Sequence, residues 1–186
     1  MEVDSIKYLE QIGAMKKFLE NNKRDQLLFV MGINTALRIG DLLSLKIADV
    51  LNGNGHIADA IELREKKTGK VRRFPLNASV KKILADYLSE RETSDTGSPL
   101  FISKKGGALG RVQAWRILKA AGKHVGINNI GAHSLRKTFG YHVYKNNGND
   151  IALVQKLLNH SVSSTTLRYI GITRDIMDTA YLELNL

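Results

Sequence analysis

Cysteine is absent from this sequence, which excludes disulfides, thiol catalysis and thiolate metal sites. No run of 18 apolar residues is present to cross a membrane as a helix, and no signal-peptide pattern opens the chain. The expected location is therefore the cytoplasm, with no membrane partner. Internal repeats, low-complexity segments and an interdomain linker are also missing. So is any carboxylate cluster of the kind that holds Mg²⁺, and neither metal nor cofactor is expected. What is plentiful is positive charge: 28 Lys and Arg stand against 18 Asp and Glu, a formal net charge of +10 over 186 residues. Such a surplus is the footprint of a protein that faces a polyanion, although a solvated basic surface has the same composition.

The hydrophobic pattern predicts one mainly helical domain with a small antiparallel sheet. Tyr8, Ile12, Met15 and Leu19 recur at helical spacing over 4–21, with Asp4 or Ser5 as the cap. A largely buried helix is expected over 24–37, and Asp41 begins a third after Arg38-Ile39-Gly40. Two strands flank Lys67-Thr68-Gly69-Lys70 as a hairpin, and Pro75 suits the end of an edge strand. Ser79 is the expected cap of a helix with Val80, Ile83, Leu84, Tyr87 and Leu88 on one face. Leu100-Phe101-Ile102 reads as a short strand. A helix over roughly 110–121 is expected to turn Val112, Trp115 and Leu118 inward. Helices over 134–146 and 150–158 follow, and Thr173 is expected to cap a last helix from Arg174 to about Leu184.

The chemistry concentrates between His133 and Tyr169. His133 and Arg136, three residues apart, share a helix face and can converge on one point. His160 ends an amphipathic segment (Ile151, Val154, Leu157, Leu158), and Tyr169 follows within reach on a Ser/Thr-led helix. Two imidazoles, a guanidinium and a phenol are the parts needed to hold a phosphodiester and attack it. Arg38 supplies a second guanidinium at a helix junction. Taken singly these residues have ordinary readings as well: surface arginines, a helix-terminating His160, and a tyrosine no different from Tyr141, Tyr144 or Tyr181. On the hairpin, Lys66, Lys70, Arg72 and Arg73 crowd Lys67 and bind phosphate equally well.

Together, the order Arg38, Lys67, H-S-L-R (His133 to Arg136), L-L-N-H (ending at His160) and Tyr169 resembles the tyrosine recombinases, the family of phage-type integrases. The resemblance runs from about residue 12 to residue 172 and covers that family's C-terminal catalytic domain. It implies a catalytic core over about 1–172 and a tail helix over 173–186, with no counterpart of the N-terminal core-binding domain. By the resemblance, Arg38 is the first catalytic arginine and Asp41 the acid that orients it, where relatives mostly have Glu. Lys67 matches the mobile lysine, His133 and Arg136 the His-x-x-Arg pair, His160 the His/Trp position and Tyr169 the nucleophile. Relatives usually read L-G-H where this chain has Leu158-Asn159-His160; asparagine tolerates the left-handed conformation, so the turn is expected to survive.

These roles agree with the physical chemistry. Arg38 and Arg136 can hold nonbridging oxygens bidentately without ever deprotonating. A phenol with a pKa of about 10 needs a base, for which His133 is the candidate. Lys67 can protonate the departing 5′-oxygen, and His160 can donate to the phosphate. Lys70, Arg72, Lys104, Lys105, Arg111, Lys119, Lys123 and Arg168 are further candidates for double-stranded DNA contacts, chosen by charge and position. The tail is expected either to dock on a neighbouring subunit on DNA or to fold back as core. Two other functions use the same parts: a tyrosine-type topoisomerase, and a DNA-binding protein of this fold that no longer cuts. The R-I-G-D-L-L motif and the short spacing from His160 to Tyr169 favour the recombinase.

Overall fold

Helix α2 (Lys23–Thr35) runs through the centre of the molecule. Leu27, Leu28, Phe29, Val30 and Met31 are all buried, so the helix is apolar nearly all round and is packed on several sides. The Asn22 side chain caps its start by accepting the Asp25 N–H at 3.1 Å. It ends at Ala36, whose φ of 56° lies in the left-handed region. The computed structural model describes residues 3–91, 95–172, 179 and 181–184.

Around α2 lie α1 (Leu9–Phe18), α3 (Ile39–Leu42) and, after a 3₁₀ turn, a hairpin of β1 (Ala60–Arg64) and β2 (Val71–Pro75). The chain continues through α4 (Ala78–Ser89), α5 (Arg111–His124), α6 (Ala132–Asn146), α7 (Ile151–Leu158) and α8 (Ser163–Ile170). The fold is thus mainly helical with one two-stranded antiparallel sheet. In the hairpin Ile61 faces Phe74, Glu62 faces Arg73 and Leu63 faces Arg72, with Ile61 and Phe74 buried.

Helix α2 packs on α4 and α6, and the main core forms between them. Gly32 permits the α2–α6 approach: a β-carbon there would lie 2.3 Å from Leu135 Cδ1. A second, smaller apolar cluster joins α6, α7 and α8 through Tyr144, Val154, Leu158 and Ile170. Gly140 sits at its centre, where a β-carbon would stand 2.7 Å from Ile170 Cγ2. These two close contacts set α6 against the end of α2 on one side and against α8 on the other.

Several expected details differ. Helix α1 begins at Leu9, and neither Asp4 nor Ser5 caps it. The Asp4 N–H donates to the Asn129 carbonyl and the Ser5 hydroxyl to the Ile170 carbonyl, so tertiary bonds hold that stretch extended. The short α3 already includes Ile39 and Gly40. Asn77, not Ser79, caps α4 by accepting the Val80 N–H. Leu100–Ile102 forms no strand; a single isolated bridge pairs Ile102 with Ala108.

On α5 the buried stripe is Ala114, Ile117, Leu118 and Ala121, while Val112 and Trp115 are 63% and 42% exposed. Small alanines choose that face by allowing close packing, a signal that side-chain size conceals. The expected last helix lies mostly outside the described residues; of it, Tyr181, Leu182 and Leu184 are described and exposed.

Candidate active site

Four elements deliver side chains to one cleft of about 340 Å³. The left-handed turn at Ala36 redirects the chain after α2, and Arg38 follows as the extended N-cap of α3 (φ −68°, ψ 144°). Helix α6 presents His133, exposed in its first turn, and Arg136, only 4% exposed one turn later. Helix α7 stops at Asn159, whose φ of 50° and ψ of 49° give the left-handed cap expected of it. That turn directs His160 back to the cleft, its backbone N–H donating to the Gln155 carbonyl at 3.0 Å. Helix α8 then brings Tyr169. Lys66, Lys67, Asp41 and Arg111 also line the cleft.

Arg136 is fixed by backbone. One guanidinium nitrogen donates to the Ala36 carbonyl and the other to the Leu158 carbonyl, the latter at 2.5 Å. A single side chain therefore ties the end of α2 to the end of α7 and still has donors to spare, because a guanidinium carries five. Both acceptors belong to helix ends whose carbonyls lack intrahelical partners.

His160 and Tyr169 meet edge to face, ring centroids 4.9 Å apart at 87°. The His160 Nδ1 lies 3.2 Å from the hydroxyl oxygen of buried Thr166, which itself donates to the Val162 carbonyl at 3.2 Å. Burial first, and then the charges of Arg136, Arg38 and Lys67, hold the His160 imidazole below its ordinary pKa. For Tyr169, burial pushes the phenol above its ordinary value, while Arg136 and Arg38 pull the other way. Lys137 Nζ lies 5.5 Å from the Tyr169 ring centroid.

Asp41 does not meet Arg38. It is buried and its Oδ1 accepts the Lys66 N–H at 3.1 Å, fastening the hairpin to α3. The acid beside Arg38 is Glu65, fully buried, whose Oε1 accepts from Arg38 at 2.5 Å. Sequence reading missed Glu65. A usable signal was present: inward positions alternate along β1 through Ile61 and Leu63, and continuing that phase turns Glu65 inward, where a carboxylate needs a cation. Thr166 was missed as well, and nothing in its local sequence marks it.

The remaining basic candidates divide by position. Arg111 lines the cleft. Arg72 turns inward, pairing with Glu65 at 3.3 Å, donating to the Leu157 carbonyl at 2.9 Å and stacking over Phe74. Those partners occupy the guanidinium proposed for DNA. Lys70, Lys104, Lys105, Lys119, Lys123 and Arg168 are exposed and outside the cleft. Lys119 lies over the Trp115 ring, and Arg168 borders a separate depression beside Lys7 and Lys137. Among the described residues no group of three His, Asp or Glu could hold a metal ion, and no helix is long and apolar enough to cross a membrane.

The fold is that of tyrosine recombinase catalytic domains. A crystal structure of XerA recombinase matches the whole chain with a TM-score of 0.77 at 24% identity, this chain covering 67% of that one. A XerH site-specific recombinase, crystallised with a palindromic difH substrate in a post-cleavage complex, matches 97% of the chain with a TM-score of 0.75, at 24% identity and over 53% of its own length. Residues 7–174 match the phage integrase family, and the chain belongs to that family. It is 42% identical over 180 residues to a probable integrase/recombinase, YoeC, of Bacillus subtilis, covering 96% of this chain and 95% of that protein. It is 31% identical over 181 residues to the tyrosine recombinase XerA of Pyrococcus furiosus, covering 95% of this chain and 60% of the relative. The chain thus spans nearly all of one relative and about three-fifths of the other.

Proposed function

We propose that this chain cuts and rejoins double-stranded DNA at specific sites, through a covalent bond between Tyr169 and a 3′-phosphate. The observation that carries the proposal is the convergence of Arg38, Arg136, His160 and Tyr169, with His133 and Lys67, on a single cleft. The named relatives are integrases and tyrosine recombinases, which supports the same reading.

In this mechanism Arg38 and Arg136 hold the nonbridging oxygens of one phosphodiester. Arg136 is already immobilised by two carbonyls, so little reorganisation is needed as charge develops. The Tyr169 oxygen attacks phosphorus and its proton passes to His133. The bond from phosphorus to the 5′-oxygen breaks, and that oxygen takes a proton from Lys67. The products are a 3′-phosphotyrosyl bond and a free 5′-hydroxyl. Rejoining runs the same steps backward with another strand's 5′-hydroxyl, and because one phosphate ester replaces another, neither ATP nor metal is consumed. His160 donates to the phosphate. Asp41 holds the hairpin that bears Lys67 rather than orienting Arg38. Association of subunits on DNA through the C-terminal tail is part of the proposal, in line with the exposed apolar residues Tyr181, Leu182 and Leu184.

The test is incubation with nicked suicide duplexes carrying candidate attachment sites, resolved on denaturing gels. The expected result is a covalent adduct that maps to Tyr169 and disappears in Tyr169→Phe, while duplex affinity stays within about twofold. Salt-sensitive duplex binding with no adduct from any substrate, by a folded protein, would leave a DNA-binding role and overturn the reaction. Relaxation of supercoiled plasmid without site preference would assign a topoisomerase instead.

A further inference from the structure

Glu65 joins the two parts of the cleft that belong to different elements. Its Oε1 accepts from Arg38 at 2.5 Å and from Arg72 at 3.3 Å, and its Oε2 accepts the Thr68 hydroxyl at 2.9 Å. Its backbone closes the neck of the hairpin: the Glu65 N–H donates to the Lys70 carbonyl at 2.9 Å, and the Gly69 N–H donates to the Glu65 carbonyl at 2.8 Å. Lys67 sits in the turn thus closed, next to Thr68. Arg72 extends the same connection to the Leu157 carbonyl at the end of α7. Both carboxylate oxygens are engaged, and the side chain is 0% exposed.

A carboxylate is an expensive group to bury beside a site that must receive another anion. Here it lies between two guanidiniums, with a hydroxyl on its free edge. Burial raises its pKa, but the Thr68 hydrogen bond and the charges of Arg38, Arg72 and Arg136 outweigh that and keep it below the ordinary carboxylate range. It is therefore charged at neutral pH. Asp41 does not take its place: its Oδ1 accepts the Lys66 N–H instead.

We propose that Glu65 is a positioning residue that sets Arg38 and Lys67 relative to each other. Through Oε1 it aims the Arg38 guanidinium, and through Oε2 and Thr68 it holds the turn from which Lys67 reaches the leaving oxygen. One side chain thereby fixes the distance between the cation that stabilises the phosphate and the cation that protonates its leaving group. This rests on the strand-cutting reaction proposed above. It predicts an unusual pair of effects. Glu65→Gln keeps the shape and removes one negative charge near the DNA, so duplex affinity holds or tightens. Cleavage nonetheless slows by about 10- to 100-fold, the cost of misplacing reacting groups by a fraction of an ångström to an ångström.

Three measurements test it. Single-turnover adduct formation and duplex affinity are compared for the wild type and Glu65→Gln; cleavage and affinity falling together would mean a folding defect and overturn the proposal. Thr68→Val removes the hydroxyl that joins Glu65 Oε2 to the Lys67-bearing turn, together with its 3.4 Å contact from the Lys70 N–H, and leaves the Glu65–Arg38 contact in place. Its slow cleavage is expected to recover on a duplex whose scissile 5′-oxygen is replaced by sulfur, a leaving group that needs no proton. No recovery would overturn the Lys67 half of the proposal. The Arg38 guanidinium is then followed by NMR on the DNA-free protein, independently of activity. Restricted guanidinium rotation in the wild type, averaged in Glu65→Gln, is expected; equal mobility in both would overturn the Arg38 half. If the wild type forms no adduct at all, the reaction reading fails by itself, and the NMR comparison still decides whether Glu65 positions Arg38.

Discussion

His160 shows how the cleft sets the protonation of one side chain. Burial and then three nearby cations keep its imidazole below the ordinary pKa of 6.5, so in the DNA-free protein it is neutral at neutral pH. A neutral imidazole has one N–H, and the contact with Thr166 competes for it. A bound phosphodiester carries a negative charge that offsets those cations, so its arrival should raise the His160 pKa and favour the form in which both ring nitrogens donate. An NMR titration with and without an uncleavable duplex is expected to show the His160 midpoint moving to higher pH on binding; an unmoved or lower midpoint would refute this. The sign for stability is fixed by the same shift. The folded value lies below the unfolded one, so the His160 contribution is fully present above about pH 6.5 and is lost as pH falls through the folded value. Denaturant titrations should show a steeper acid-side loss of stability for the wild type than for His160→Gln.

Among the elements, the end of α7 decides where that imidazole stands. Asn159 carries the left-handed turn, which a residue with an ordinary β-carbon enters only at a cost of about 1–2 kcal/mol. Asn159→Ala should destabilise the chain by about 1 kcal/mol in urea unfolding, whereas Asn159→Gly should fall within a few tenths of the wild type. A loss shared equally by both variants would mean that the asparagine amide, not its backbone, matters. This turn was legible in the sequence because Asn and Gly are the residues that tolerate it. The amphipathic helices, the hairpin and the residues that line the cleft were legible for a similar reason: apolar spacing and motif context are local. What escaped was decided at a distance or by small residues. Glu65 meets Arg38 across 27 positions in sequence. The choice of Asn77 over Ser79 as a cap depends on where the hairpin releases the chain. The buried face of α5 is drawn by alanines rather than by Trp115. The left-handed Ala36 has no side-chain signal at all, yet its carbonyl is one of the two that hold Arg136.

For the whole molecule, a net charge of +10 makes any duplex contact strongly salt dependent. Arg111 is the cleft cation contributed by α5, so Arg111→Ala should lower the log–log salt slope of duplex binding by about 1. An unchanged slope would remove Arg111 from the DNA contacts. The cleft is also a structural joint. Arg136→Ala leaves the Ala36 and Leu158 carbonyls without their donor, at about 1–3 kcal/mol for each buried group left unsatisfied. Thermal unfolding should therefore show a larger drop in midpoint for Arg136→Ala than for Tyr169→Phe, which loses only the hydroxyl's hydrogen bond with Arg136. Equal midpoints would mean that water or a rearranged side chain replaces the guanidinium.

The double grip of Arg136 also bears on how such a protein can change over generations. If the proposed reaction holds, losing it through the tyrosine costs a lineage its chemistry and leaves the Arg136 joint in place. Loss through the arginine removes the joint between two helix ends, and the descendant is exposed to unfolding and proteolysis before any new role can be selected. Silent copies of this gene that still make protein should therefore carry their first inactivating change at Tyr169 or on the hairpin, with Arg136 among the last of the set to go.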